Sequence, residues 1–187
     1  MQGQRAESVK IDMSQYGFYF DPEKCVGCHA CEVACQLWNG EVQTQRWRKV
    51  TSLDRGAFPE IKSVNVSLSC MHCGNPPCRN ACPRQAITKS EETGTVTVNR
   101  AKCVGCMLCL WACPFGAPKM SLKGKMEKCT FCEDRPVDMK RACEEICPTQ
   151  AIVSGPIEQL VEIARGNVAE GMLHEKSSGV ILGHEEA

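Results

Sequence analysis

Sixteen cysteines in a chain of 187 residues fall into four groups of four, and none lies outside them. The groups are Cys25, Cys28, Cys31 and Cys35; Cys70, Cys73, Cys78 and Cys82; Cys103, Cys106, Cys109 and Cys113; and Cys129, Cys132, Cys143 and Cys147. Within each group the last cysteine follows the one before it by four residues. Sulfur donors at such fixed spacing constrain the fold more than any apolar pattern does, because the chain must loop wherever several of them converge on one centre.

Four kinds of centre compete. Disulfide scaffolds reach this cysteine density, but they are usually short secreted chains, and no segment here reads as a signal peptide. Redox C-x-x-C chemistry needs one pair, not four quartets. Four thiolates suit a structural zinc site, but zinc pairs are usually well separated, and here three cysteines crowd into seven residues. The first and third groups have the spacing C-x2-C-x2-C-x3-C, and Pro114 follows the third directly. This is the ligand run of two-cluster bacterial ferredoxins. The spacing therefore predicts four 4Fe–4S clusters and a function in moving single electrons, with a structural zinc-binding module as the alternative of another class.

Three cysteines at x2 spacing can wrap one side of a cube, and Gly27 and Gly105 ease the tight loop. The fourth starts a segment that leads away, so it ligates the neighbouring cluster. Pro83, Pro114 and Pro148 fix the exit of the chain after three of the groups, whereas Cys35 is followed by Gln36.

Strand signals suggest which groups pair. Ile87-Thr88 and Thr95 to Val98, separated by a Gly-containing turn, read as a hairpin joining groups two and three. Group four is followed by Ile152-Val153, and group one is preceded by Phe18-Tyr19-Phe20. Those two strands would make the matching hairpin without a covalent turn. The fold class expected is therefore α+β, with two ferredoxin-like (bacterial dicluster) units formed by nested pairing of the four motifs. Groups one and three share one spacing; groups two and four share another, with a longer insert in group four. The nested scheme assigns Cys25, Cys28, Cys31 and Cys147 to one cluster and Cys35, Cys129, Cys132 and Cys143 to its neighbour. It assigns Cys82, Cys103, Cys106 and Cys109 to a third, and Cys70, Cys73, Cys78 and Cys113 to the fourth. The rival scheme pairs group one with two and three with four. On the nested reading residues 1–35 and 115–166 form the first unit, 36–69 connect, 70–114 form the second unit, and 167–187 are a tail contacting a partner.

Composition narrows the rest. Three Trp, two Tyr and five Phe are few for a chain this long, so clusters would fill the interior in place of an apolar core. The formal net charge is zero, and with no Lys/Arg block there is no case for nucleic acid. No apolar run approaches the length of a membrane span, so membrane contact would come through another subunit. The location expected is cytoplasmic, or membrane-associated through a partner, with export alongside a partner that carries a twin-arginine signal as a further route.

Other segments carry local expectations. Residues 1–14 read as a loose or partner-bound arm. Ser63 to Leu68 alternates as a strand does. Arg46, Arg48 and Lys49 around Trp47 read as a half-exposed strand edge, the sharper alternative being a basic patch that raises a cluster's potential. Glu133 to Ala142 reads as a charged surface loop. Pro156 to Arg165 reads as a helix ended by Gly166, with Ile157, Leu160, Val161 and Ala164 on one face. Val168, Met172 and Leu173 form a weaker face beyond it. His29 and His72 read as solvent-facing or hydrogen-bonded, the sharper alternative being proton-coupled tuners of cluster potential, and Trp38 and Trp111 read equally as packing near ligands or as shields of clusters from water.

With these motifs in place, the sequence resembles the four-cluster iron–sulfur (beta) subunits of the dimethyl sulfoxide reductase family of molybdenum enzymes. The resemblance rests on Tyr16-Gly17-Phe18-Tyr19-Phe20-Asp21 leading to the first group, Cys70-Met71-His72-Cys73 with Pro76-Pro77-Cys78, and Cys113-Pro114-Phe115-Gly116-Ala117-Pro118. Lys128-Cys129-Thr130-Phe131-Cys132 and Gly155-Pro156-Ile157 carry it further. It implies a subunit that is not an enzyme by itself. It implies a relay of electrons between a molybdopterin or tungstopterin catalytic subunit and a membrane anchor exchanging electrons with quinone, or another redox partner. The cluster of Cys25, Cys28, Cys31 and Cys147 would face the catalytic subunit, and that of Cys70, Cys73, Cys78 and Cys113 the anchor. Cys106 keeps a position that some relatives replace, which implies four complete cubanes. A free-standing polyferredoxin is the alternative.

Overall fold

The computed structural model describes residues 15–40, 46–136 and 139–177; the arm expected over 1–14 and the end of the tail lie outside them. The chain opens with strand β1 (Tyr16–Phe20), helix α1 (Ala30–Trp38), and strands β2 (Lys49–Arg55) and β3 (Lys62–Leu68). Helix α2 (Pro77–Asn80), strands β4 (Ile87–Lys89) and β5 (Val96–Val98), and helix α3 (Leu108–Ala112) follow. Strands β6 (Lys119–Met120) and β7 (Met126–Glu127), helix α4 (Ala142–Glu145), strand β8 (Ile152–Pro156) and helix α5 (Ile157–Ser177) complete it. Helix and strand are mixed, and every sheet has only two strands.

The first and last strands find each other. β1 runs antiparallel to β8, with Tyr16 opposite Pro156 and Phe20 opposite Ile152. β4 and β5 pair the same way, with Ile87 opposite Val98. The β2–β3 hairpin sets Lys49 against Leu68 and Arg55 against Lys62. α1 packs on α4, and α2 on α3. Each of these helices buries at least one cysteine: Cys31 and Cys35 in α1, Cys78 in α2, Cys109 in α3 and Cys143 in α4.

The apolar interior is broken into small clusters that contain the cysteines themselves. Ala86, Ile87, Val96 and Met126 pack with Cys78, Cys103 and Cys109. Val50 and Ile152 pack with Cys31 and Cys143, beneath Phe18 and Phe20. Phe131 draws distant segments together: its ring meets Phe18 at 4.8 Å, Tyr16 at 6.1 Å and His72 at 5.3 Å. The residue just ahead of β1 makes a long-range tie as well, since Gln15 Nε2 donates to the carbonyl of His72 (2.8 Å).

Several local expectations are corrected. Gly166 does not end the last helix; α5 continues to Ser177. Glycine lowers helix stability by about 1 kcal/mol, but nothing here turns the chain, and Asn167 holds the helix down through its Nδ2 donating to Tyr19 Oη (3.0 Å) and Asp21 Oδ2 (3.3 Å). Pro156 closes β8 instead of opening the helix. Trp47 and Arg48 are buried, not half-exposed at an edge. The insert is not all surface either: Arg135 is buried, its guanidinium 4.4 Å above the Trp38 ring. Residues 115–128, between the third and fourth groups, contain the β6–β7 hairpin.

Two consequences can be measured by anaerobic thermal unfolding and hydrogen exchange. Ile152 is 2% exposed, so Ile152→Ala is expected to cost about 2–5 kcal/mol, whereas Leu122→Ala, at an 84% exposed position, changes stability by under about 0.5 kcal/mol. Gly166→Ala meets open space and is expected to slow hydrogen exchange in α5, consistent with about 1 kcal/mol of added helix stability.

Candidate iron–sulfur centres

Four cavities hold all sixteen thiols, four in each. Cys25, Cys28, Cys31 and Cys147 ring one, closed by Phe20, Val50 and Ile152. Cys35, Cys129, Cys132 and Cys143 ring the second, with Phe18, Trp47 and Arg48 in its wall. Cys82, Cys103, Cys106 and Cys109 ring the third, lined by Ile87, Val98, Met120 and Met126. Cys70, Cys73, Cys78 and Cys113 ring the fourth, with Val96, Ala117, Pro118 and Lys128. The atom-free space is nearly equal in the four, about 320, 300, 360 and 350 Å³ in that order.

The backbone around the thiols repeats as well. Gly27 and Gly105, each one residue before a cysteine, are left-handed (φ 68° and 75°), and so are His29 and Met107, each one residue after it (60° and 63°). His72 and Phe131 match at 45° and 63°, and Gln85 and Gln150 at 46° and 53°. Side chains in this region cost of order 1–3 kcal/mol each, so the loops are held there by what they surround. Gly105 has a second constraint: a Cβ would strike the carbonyl of Gly124. Backbone N–H groups aim at sulfur: Ala86 donates to Cys82 Sγ (3.3 Å), Ala151 to Cys147 Sγ (3.3 Å), Met126 to Cys103 Sγ (3.4 Å) and Phe131 to Cys129 Sγ (3.4 Å). Such donors favour the thiolate.

These donors fit a polynuclear cluster better than a single ion. Zinc draws four thiolates to about 2.3 Å from one point. Among the described residues, no set of three or more Cys, His, Asp or Glu converges tightly enough to hold one ion. The thiols stand around a space instead. All sixteen are free, and several resist ionising alone. Burial, then the neighbouring Cys143, pushes Cys35 up to about 12; burial, reinforced by Cys103, pushes Cys109 up to about 11. Cys147 is the exception: burial would raise it, but hydrogen bonds from Thr149 and the Ala151 N–H lower it. Thiolates are the ligating form, so cation binding releases protons and offsets the cost of burying sulfur charge.

The other singled-out residues stand in differing surroundings. His29 is exposed and pairs with Glu32 (3.2 Å). His72 is fully buried; its Nδ1 accepts from the Val96 N–H (2.9 Å), and burial plus the Lys128 charge bring it down to about 3, so it is neutral. Trp38 Nε1 donates to Asp134 (3.1 Å), and Trp111 is 88% exposed and shields nothing. Sequence reasoning missed the burial of Lys128 altogether and set Arg48 aside. For Arg48 the signal was the basic run around Trp47; for Lys128 there was only its place beside Cys129.

The geometry agrees with what the chain is similar to. Residues 61–157 match the model of the 4Fe-4S dicluster domain, and residues 16–37 that of the 4Fe-4S binding domain. The B component of the anaerobic dimethyl sulfoxide reductase of Escherichia coli K12 is 39% identical over 157 residues, which cover 79% of this chain and 76% of the relative. The corresponding B component of the sulfite dehydrogenase of Allochromatium vinosum is 36% identical over 168 residues, 78% of this chain and 70% of the relative. The protein belongs to the iron–sulfur beta subunits of the dimethyl sulfoxide reductase family. The formate dehydrogenase iron-sulfur subunit of Wolinella succinogenes is 32% identical over 175 residues, 81% of this chain and 86% of the relative. As a beta subunit it is an electron-transfer protein carrying four 4Fe–4S clusters. No helix among the described residues is long and apolar enough to cross a membrane.

The close approach at Gly105 gives a local test. Gly105→Ala is expected to reduce iron by about four atoms per chain, emptying one centre, whereas Gly74→Ala, where a Cβ meets nothing within 4 Å, leaves iron content at the parent level by metal analysis.

Proposed function

We propose that each cavity's foursome ligates one cluster, so that the four motifs pair in nested order. The observation carrying this reading is that every cavity takes three cysteines from one motif and one from another, always matching group one with four and group two with three. The pairing of β1 with β8 supports it, because it brings the chain ends together as the β4–β5 hairpin joins its own flanks. On this reading residues 1–35 with 115–166 form one ferredoxin-like unit and 70–114 the other. Residues 36–69 connect them and 167–187 form the tail, α5 spanning the boundary.

When bound, the clusters supply one-electron transfer. The residues hold them at fixed places, exclude water with apolar walls, and offset sulfur charge with N–H donors. No acid, base or nucleophile is needed on this chain, which is not itself catalytic. Burial orders the centres. Cys28 and Cys106 are the exposed ligands, while Cys70, Ala117 and Cys129 form one buried cluster where the second and fourth cavities meet. The order is then the cavity of Cys28, that of Cys129, that of Cys70, and that of Cys106. The resemblance put the foursome of Cys70 on the anchor side; burial of Cys70 and Cys78 favours the foursome of Cys106 as the outer centre instead. Exposed Val104, Met107, Leu108 and Trp111 beside it give an apolar surface suited to a protein partner.

The partners proposed are a molybdopterin or tungstopterin catalytic subunit at one end and a membrane anchor or other redox protein at the other. The names of the relatives, components of sulfite dehydrogenase, dimethyl sulfoxide reductase and formate dehydrogenase, support the first. Anaerobically purified protein should be brown with about sixteen iron atoms and as many acid-labile sulfides. Cys147→Ser should perturb only the cluster of Cys25, Cys28 and Cys31 in electron paramagnetic resonance; damage to that of Cys103, Cys106 and Cys109 instead would falsify the nested order. A large subunit should co-purify in constant ratio, and a stable free monomer in the native host would point to a diffusing polyferredoxin.

A further inference from the structure

Six charged side chains are buried among the described residues: Asp21, Glu32, Arg48, Lys128, Arg135 and Glu144. Four of them have an opposite charge at hand. Asp21 meets Lys24 (3.4 Å), Glu32 meets Arg46 and His29, Arg135 meets Glu145 (2.6 Å), and Glu144 meets Lys140 (3.9 Å). Arg48 and Lys128, which are 2% and 1% exposed, form no ion pair among the described residues. An unpaired buried charge is strongly destabilising unless something else compensates it.

Both stand against thiols. The Arg48 guanidinium donates to Ser67 Oγ (3.1 Å) and Ser69 Oγ (2.9 Å) and lies 4.7 Å over the Phe18 ring. Ser67 Oγ in turn lies 3.5 Å from Cys31 Sγ. Arg48 forms part of the wall of the cavity of Cys35, Cys129, Cys132 and Cys143. Lys128 is in the wall of the cavity of Cys70, Cys73, Cys78 and Cys113, and its Nζ donates to the carbonyls of Val96 and Cys129. The two unpaired cations thus serve the two inner cavities. The walls of the outer cavities contain no buried cation among the described residues. Glu32, buried one residue from Cys31, has its countercharge in Arg46, with His29 Nδ1 3.2 Å away.

We infer that Arg48 and Lys128 are potential-setting residues, each raising the reduction potential of the cluster held in its own cavity relative to the outer two. A cubane held by four thiolates is anionic and becomes more so on accepting an electron. A fixed cation close by favours that added charge, most strongly where water is excluded. Electrons entering from either end would then settle on the inner pair. This rests on the assignment of cavities to clusters above.

The test is an anaerobic redox titration of the full chain followed by electron paramagnetic resonance, each signal assigned by its loss in Cys132→Ser or Cys73→Ser. Lys128→Met and Arg48→Met are expected to lower the potential of their own cluster enough to change its oxidised-to-reduced ratio about tenfold at fixed potential, about 59 mV for one electron. The outer clusters should move less, and Lys128→Arg and Arg48→Lys should restore the parent values. Unchanged potentials at full iron content overturn the inference while leaving the cluster assignment intact. Signals that fail to segregate with Cys132 and Cys73 overturn the assignment itself. If a methionine variant loses iron, the glutamine variant is titrated: a lowered potential supports the role, and an unchanged one rejects it.

Discussion

Thiolate charge cannot be buried without a cation to meet it, and most of the sixteen sulfur donors here lie out of solvent. That requirement shapes the rest of the fold. Sheets of two strands and helices of four or five residues have little stability of their own in water, and the apolar clusters between them are small and completed by cysteine side chains. Each left-handed residue beside a ligand adds local strain. Such a backbone persists because the bonds from sulfur to iron tie segments that ordinary packing would leave loose. Fold and cofactor are therefore one equilibrium, as in small zinc domains whose folding energy is their metal-binding energy.

Topology divides the task unequally. β4 and β5 meet across a short turn, so the loops around Cys70 to Cys113 close locally. β1 and β8 meet only after nearly the whole chain is present, and loop closure over such a span is entropically harder. Contacts to the locally closing segment lower that cost. Gln15, just ahead of β1, reaches the carbonyls of His72 and Gly94, and Phe131 meets His72 edge to face. The local half thus presents a surface on which the chain ends can pair.

Much of this was legible because ligand chemistry writes itself into spacing. The quartets, the hairpin of β4 and β5, and the strands before Cys25 and after Cys147 follow from period and punctuation. What escaped was decided by tertiary surroundings. Gly166 reads as a stop, yet a helix with nothing pressing on it and an anchored Asn167 runs through. Arg48 reads as part of a half-exposed edge and Lys128 only as part of a motif, because sequence shows a charge but not the anionic centre that would let it be buried. The same blindness applies to Trp111, which looks like a shield from its neighbours and is open to solvent.

The two unpaired cations differ in kind, and the difference fits their places. Arg48 is planar and lies on Phe18 while forking to two serines, so its orientation is fixed by several weak contacts at once. It sits where the chain passes between two cavities of one half, and Cys31, Cys35, Cys129 and Cys143 all feel its charge. Lys128 is a compact charge on a flexible stem, held by two carbonyls, one from each half of the molecule. A carboxylate beside either would have satisfied the charge and cancelled its field. Serine hydroxyls, an aromatic face and backbone carbonyls satisfy hydrogen bonds without adding a full negative charge. They leave the positive field standing toward the sulfur, where a purely structural ion pair would cancel it.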